Sequence, residues 1–145
     1  MMRRINEIDI YQILDHGSTS VLINAVDISD DEQEAIGYYN GLLSEYPLYD
    51  SLHSNNTLSL CMIEGIIQTA GILTKIKNDQ KPKYKKILFK IENLYYYDEV
   101  YDEKNIIFYV KFISMASFLD RFVGEIKSKD KTILQCHLTS GVAIK

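Results

Sequence analysis

The sequence predicts an α+β domain in which a curved antiparallel sheet wraps one long, buried helix. Three observations predict it. The stretch CMIEGIIQTAGIL, Cys61 to Leu73, is apolar on nearly every face of a helix, and a helix of that kind belongs in an interior. Four strand-like segments follow it, separated by charge-rich turns, as in an antiparallel arrangement. Two more strand-like segments precede it. A lone apolar helix is covered on most sides only if the sheet curves around it.

In chain order, INEIDIYQIL places Ile5, Ile8, Tyr11 and Leu14 at helical spacing and reads as a short amphipathic helix. DHGSTS ends it, because Gly and Ser/Thr favour turns. VLINAVDI is a β-branched strand, SDDEQ an acidic turn, and EAIGYYNGLL the second strand of a hairpin. SEYPLYDSLHSNNT is an irregular loop. The long helix is expected from about Leu58 to Lys77, with Thr57 or Ser59 as its cap. Leu60, Ile63, Ile67, Ala70 and Leu73 trace one face, and Met62, Ile66 and Ile72 make the rest apolar as well. KNDQKPKYKK reads as a solvated loop. ILFKIENLYYY, NIIFYVKFISM, SFLDRFVGEIKS and TILQCHLTSGVAI are then read as a four-strand meander.

The length of 145 residues suits one domain, 1–145. A composition 46% hydrophobic and 25% charged is that of a globular protein. The net charge of −4 argues against nucleic acid as the main partner, since phosphate binding wants a basic face. Cys61 and Cys136 lie in apolar contexts with no CxxC pair and read as buried free thiols. No long apolar run marks a leader or a membrane span, so a cytoplasmic protein is expected. Three scattered histidines and two scattered cysteines give no metal-ligand spacing.

The exception inside the apolar helix is Glu64. Burying a carboxylate costs several kcal/mol, of order 2–7 for an uncompensated polar group and more for a charge, unless it is paired or neutralised. Read alone, Glu64 is also compatible with an ordinary first-turn carboxylate favoured by the helix dipole. Gln68, one turn on, reads equally as a core amide satisfied by a neighbouring carbonyl.

The helix-in-sheet layout is that of the hotdog fold, and two segments carry a closer likeness. IYQILDHGSTSVLINAVDI is similar to the opening of the hotdog β-hydroxyacyl-(acyl-carrier-protein) dehydratases. MIEGIIQTAGIL resembles their central helix, with Glu64, Gln68 and Gly71 in register. The likeness runs on to CHLTSGVA and so covers nearly the whole chain. It implies removal of water from a 3-hydroxyacyl chain carried on the phosphopantetheine thioester of an acyl carrier protein, with no other cofactor. It implies a dimer, of identical or different hotdog subunits, with the site between them. A His abstracts the α-proton, the helix carboxylate serves the β-hydroxyl, and a backbone N–H holds the thioester oxygen. Here Glu64 takes the carboxylate role, and Gln68, Leu60 and Ile67 would line the acyl site. An α-proton next to a thioester needs a positioned base, and the departing hydroxide needs a proton. A dry apolar wall favours the neutral acid that can give it.

The loop that should bring the base departs from the family's Gly-His-Phe-Pro pattern. The family's His lies where this chain has Asp50, and His53 falls nearer, eleven residues before Glu64. Three readings stay open: His53 is the base of a shortened loop, Asp50 replaces it, or a different subunit supplies the His. His16 matches a family His outside the chemistry, and His137 reads as a sheet residue. YYYDEVYDE reads as a half-buried strand with amphipathic rings, and the lysines of KNDQKPKYKK as a solvated loop able to steer an acidic carrier. A non-catalytic hotdog partner subunit and a hotdog acyl thioesterase are the competing functions.

Overall fold

The computed structural model describes residues 2–14, 22–39, 62–77, 84–98, 106–116, 119–129 and 131–144. These form seven strands and two helices: β1 (Met2–Asn6), α1 (Glu7–Leu14), β2 (Ala25–Ser29), β3 (Glu34–Tyr39), α2 (Ile63–Lys77), β4 (Tyr84–Tyr96), β5 (Ile106–Ala116), β6 (Leu119–Ser128) and β7 (Lys131–Ile144). All strands join one antiparallel sheet in the order β1-β2-β3-β5-β6-β7-β4.

Alternation builds the core. Ile106, Phe108, Val110 and Phe112 of β5 point inward, as do Phe122, Gly124 and Ile126 of β6 and Leu134, Cys136 and Leu138 of β7. They meet Ile66, Ala70, Ile72 and Leu73 of α2 in one cluster. Glycines let the helix come close. A Cβ on Gly65 would stand 2.4 Å from the Phe108 ring, and one on Gly124 2.4 Å from Ile66. Burial pushes the Cys136 thiol up to about 11.

The hairpin β2–β3, the long helix from Ile63 to Lys77 and the last strands lie where the sequence places them, the expected helix start at Leu58 and its cap at Thr57 or Ser59 lie outside the described residues, and five expectations are corrected. Ile5 and Asn6, expected to open the first helix, instead end the strand Met2–Asn6, because this segment pairs along β2 and Arg4 grips Asp27 with two hydrogen bonds of 2.7 and 2.8 Å. The buried face of α1 is Ile10 with Ile13, whereas Ile8 is exposed. β4 does not open a meander with β5. Leaving β3, α2 lies across β3, β5 and β6, so the strand after it lands at the far edge, beside β7. There Tyr95, Tyr96 and Tyr97 are exposed rather than half-buried, and Tyr84–Lys86 belongs to the strand rather than a loop.

Candidate active site

The first turn of α2 is fixed from below. Gly65 rests on the Phe108 ring, the Gly65 N–H donates to the Met62 carbonyl at 2.9 Å, and the buried Thr69 hydroxyl donates to the Gly65 carbonyl at 2.7 Å. Thr69 lies in turn against Gly37 of β3. This packing leaves the other side of the turn facing outward, and Glu64 stands on it.

Gln68 lies one turn further on the same side and is buried, at 2% exposure. Its Oε1 accepts the backbone N–H of Leu22 at 2.9 Å, and its Nε2 donates to Glu64 Oε1 at 3.3 Å. Leu22 is itself buried just ahead of β2. A main-chain N–H thus fixes which end of the amide is oxygen, and the amide presents N–H to the carboxylate. The spacing i, i+4 allows this contact on a helix, and the buried strand entry makes it directional.

Glu64 is exposed, which corrects the expectation of a carboxylate desolvated by its own helix. The reason is that, among the described residues, α2 is not covered all round. Its underside lies on the sheet, and α1 meets it at Lys75, whose Nζ donates to the Ile13 carbonyl. Between these contacts an open strip runs along Glu64, Ile67, Gly71 and Lys75, with Ile67 and Gly71 half-buried. A second open apolar surface lies on β4, where Ile91, Leu94 and Tyr96 are 38–44% exposed. Ile91 and Tyr96 pair across from the buried Leu138 and Leu134, so they extend the inner face of the sheet past the helix.

Of the predicted site residues, Glu64 and Gln68 are in contact and Ile67 lies on the same open strip. His53 and Leu60 lie outside the described residues, as do Asp50, His16 and Cys61. Two participants were missed by sequence reasoning. Nothing in the sequence marks the Leu22 N–H, because its role depends on a contact between distant segments. The β4 stripe was visible as apolar residues, but not that it would lie uncovered. His137 sits on the outer face of β7, where Asn93 Nδ2 lies 3.1 Å from its Nδ1. Among the described residues no group of three or more His, Cys, Asp or Glu comes together, and no described helix is long and apolar enough to cross a membrane.

No protein-family model matches the sequence, and no curated protein matches it. Solved structures do. The dehydratase heterocomplex ApeI:P from Xenorhabdus doucetiae is similar over 94% of this chain and 91% of its own, with a TM-score of 0.74 at 15% identity. A mutant thioesterase from Pseudomonas aeruginosa is similar over 97% of this chain and 96% of its own, with a TM-score of 0.68 at 11% identity. The dehydratase domain of a mycocerosic acid synthase-like polyketide synthase is similar over 96% of this chain and 49% of its own, with a TM-score of 0.69 at 13% identity. Likeness at such identity concerns architecture, and by its seven-stranded antiparallel sheet around one main helix the chain has the hotdog fold.

Proposed function

We propose that the chain dehydrates carrier-bound 3-hydroxyacyl thioesters to trans-2-enoyl thioesters, as a subunit of a two-subunit hotdog enzyme in fatty-acid or polyketide/aryl-polyene assembly. The observation that carries this reading is Glu64. It stands on the outward side of an otherwise packed helix turn, oriented by an amide that a main-chain N–H locks in place. A carboxyl group held in this way, next to the half-buried Ile67, suits proton transfer at the end of an apolar acyl chain.

In this scheme a base takes the α-proton, the C–O bond to the β-hydroxyl breaks, and Glu64 gives its proton to the departing hydroxide. Water and the enoyl thioester leave. His53 or a histidine of the second subunit is the base. The second subunit would also cover Glu64 and dry the site, which is the desolvation that a single chain does not supply. The similarity to a dehydratase heterocomplex supports a hotdog partner. The acyl carrier protein is the substrate's carrier.

The similarity to a thioesterase supports a second reading, in which Glu64 activates water against the thioester carbonyl. A non-catalytic partner subunit is the third. Hydration of an enoyl-pantetheine thioester, followed by loss of enoyl absorbance, separates them. Turnover that falls by about 10²–10⁴ in Glu64→Ala is the expected result, and an equal fall in His53→Ala would identify His53 as the base. Gln68→Ala should lower the rate while leaving the fold intact. Release of free thiol without hydration would identify the thioesterase, and silence from folded protein would leave either a subunit of a heterodimeric dehydratase whose histidine comes from a different chain or a non-catalytic partner.

A further inference from the structure

A glycine interrupts the row of inward side chains at β3. Val26, Gly37 and Phe108 stand side by side on β2, β3 and β5. Val26 and Phe108 are fully buried, and Gly37 is buried between them. A glycine inside a strand gives up side-chain packing, and it marks an unusual backbone or a close approach. The backbone is ordinary here, since among the described residues no glycine has a positive φ. Room is therefore what this position provides.

Two side chains use that room. A Cβ on Gly37 would stand 2.2 Å from Thr69 Oγ1 and 3.2 Å from Ile23 Cγ2. The Thr69 hydroxyl is not free to turn away, because it donates to the Gly65 carbonyl at 2.7 Å. Ile23 is fixed as well. It is 1% exposed, and the N–H of the next residue, Asn24, donates to the Tyr38 carbonyl at 2.7 Å. Thr69 follows Gln68 in the chain, and Ile23 follows Leu22. The hydrogen bond from the Leu22 N–H to Gln68 Oε1 thus lies one residue back from the Gly37 hollow on both segments. Whatever parts Thr69 from Ile23 also parts Gln68 from Leu22. The amide then loses the main-chain anchor that turns its Nε2 toward Glu64.

We infer that Gly37 is a positioning residue: its missing side chain lets α2 settle against the entry of β2, close enough for the Leu22 N–H to hold Gln68 and aim the amide at Glu64. Gly37 acts through Thr69 and Ile23, not on the substrate. Its effect on turnover rests on the reading of Glu64 as the acid of a dehydratase, whereas its effect on the Leu22 hydrogen bond does not.

The test is a double-mutant cycle in the full-length chain, read by amide exchange at Leu22 and by hydration of an enoyl-pantetheine thioester. Gly37→Ala should speed Leu22 exchange about tenfold. It should lower kcat by about tenfold or more and leave KM within about twofold, because a misplaced catalytic group slows the chemical step. Thr69→Ala removes Oγ1 and leaves the Thr69 Cβ 3.4 Å from the added methyl group, an ordinary contact. Beside Thr69→Ala, Gly37→Ala should therefore change either readout by about twofold or less. If Gly37→Ala alone does not fold, Leu22 must exchange faster when it is combined with Thr69→Ser than with Thr69→Ala. Leu22 protection indifferent to Gly37→Ala, a change just as large beside Thr69→Ala, or turnover unaffected by a freed Leu22 amide overturns the inference. A chain in which Leu22 exchange follows the cycle but no thioester is hydrated keeps the role of Gly37 and removes the dehydratase reading.

Discussion

Asp27 accepts three hydrogen bonds at once. Arg4 donates to both its carboxylate oxygens, Tyr38 donates its hydroxyl to Oδ2 at 2.8 Å, and the Arg4 guanidinium lies 5.0 Å from the centre of the Tyr38 ring. One carboxylate thereby ties β1 to β2 and β3. The hydrogen bond from Arg4 is the main cause that holds the Asp27 carboxyl below its ordinary value of 3.8. A group with a depressed folded pKa stabilises the fold above its unfolded value and loses that contribution as pH falls through the folded one. Wild-type protein should therefore lose stability below about pH 3.8 in part through Asp27. The Tm of Asp27→Asn should be lower at pH 7, and its fall with acid shallower. Equal pH slopes for the two proteins would contradict this. At the same scale, the Glu64–Gln68 pair was visible in the sequence as an i, i+4 spacing, but its orientation was not. That comes from the Leu22 N–H, which the sequence separates from Gln68 by more than forty residues.

Among the elements, those that obey a simple period were read correctly. β5, β6 and β7 alternate between buried and outward residues along most of their length, with Phe108, Phe122 and Leu134 on the inside. β1 was missed because MRRIN has no alternation of its own and owes its conformation to β2. The α1 face was misread because a spacing of three fits Ile5 with Ile8 as well as Ile10 with Ile13, and packing chose the latter. For α2 the apolar pattern gave the element but not which side would stay open, since that depends on how far α1 reaches. The contact of α2 with the sheet permits a sharp test at Gly65. Ala there raises helix propensity by about 1 kcal/mol. Its Cβ would also meet three atoms of the Phe108 ring within 2.6 Å, and overpacking a core costs about 1–3 kcal/mol. The clash should win, giving a net loss of about 1 kcal/mol or more in urea unfolding. A more stable Gly65→Ala would mean that the helix can lift from the sheet freely.

Across the whole molecule, stability should follow coverage. The strands under α2 are β3, β5 and β6, and the fully buried side chains Ile66, Ile72, Leu73, Ile106, Phe108 and Phe122 gather there. Native-state amide exchange should be slowest in β5, β6 and α2 and fastest in β1, which is held by one neighbour and is mostly exposed. Uniform protection across the sheet would contradict this ordering. The order of strands also bears on how the chain is made. β4 leaves the ribosome after α2, yet its partner β7 is the last of the described strands. While β5 and β6 are being synthesised, they can join β3 and close over the helix, but β4 has no place in the sheet until β7 arrives. Its apolar, tyrosine-rich length is then exposed to other nascent chains, and pairing that spans so much sequence is slow. Loss of β7 by truncation would leave β4 in that state permanently, so the cell would treat a shortened product as a substrate for chaperones and proteases.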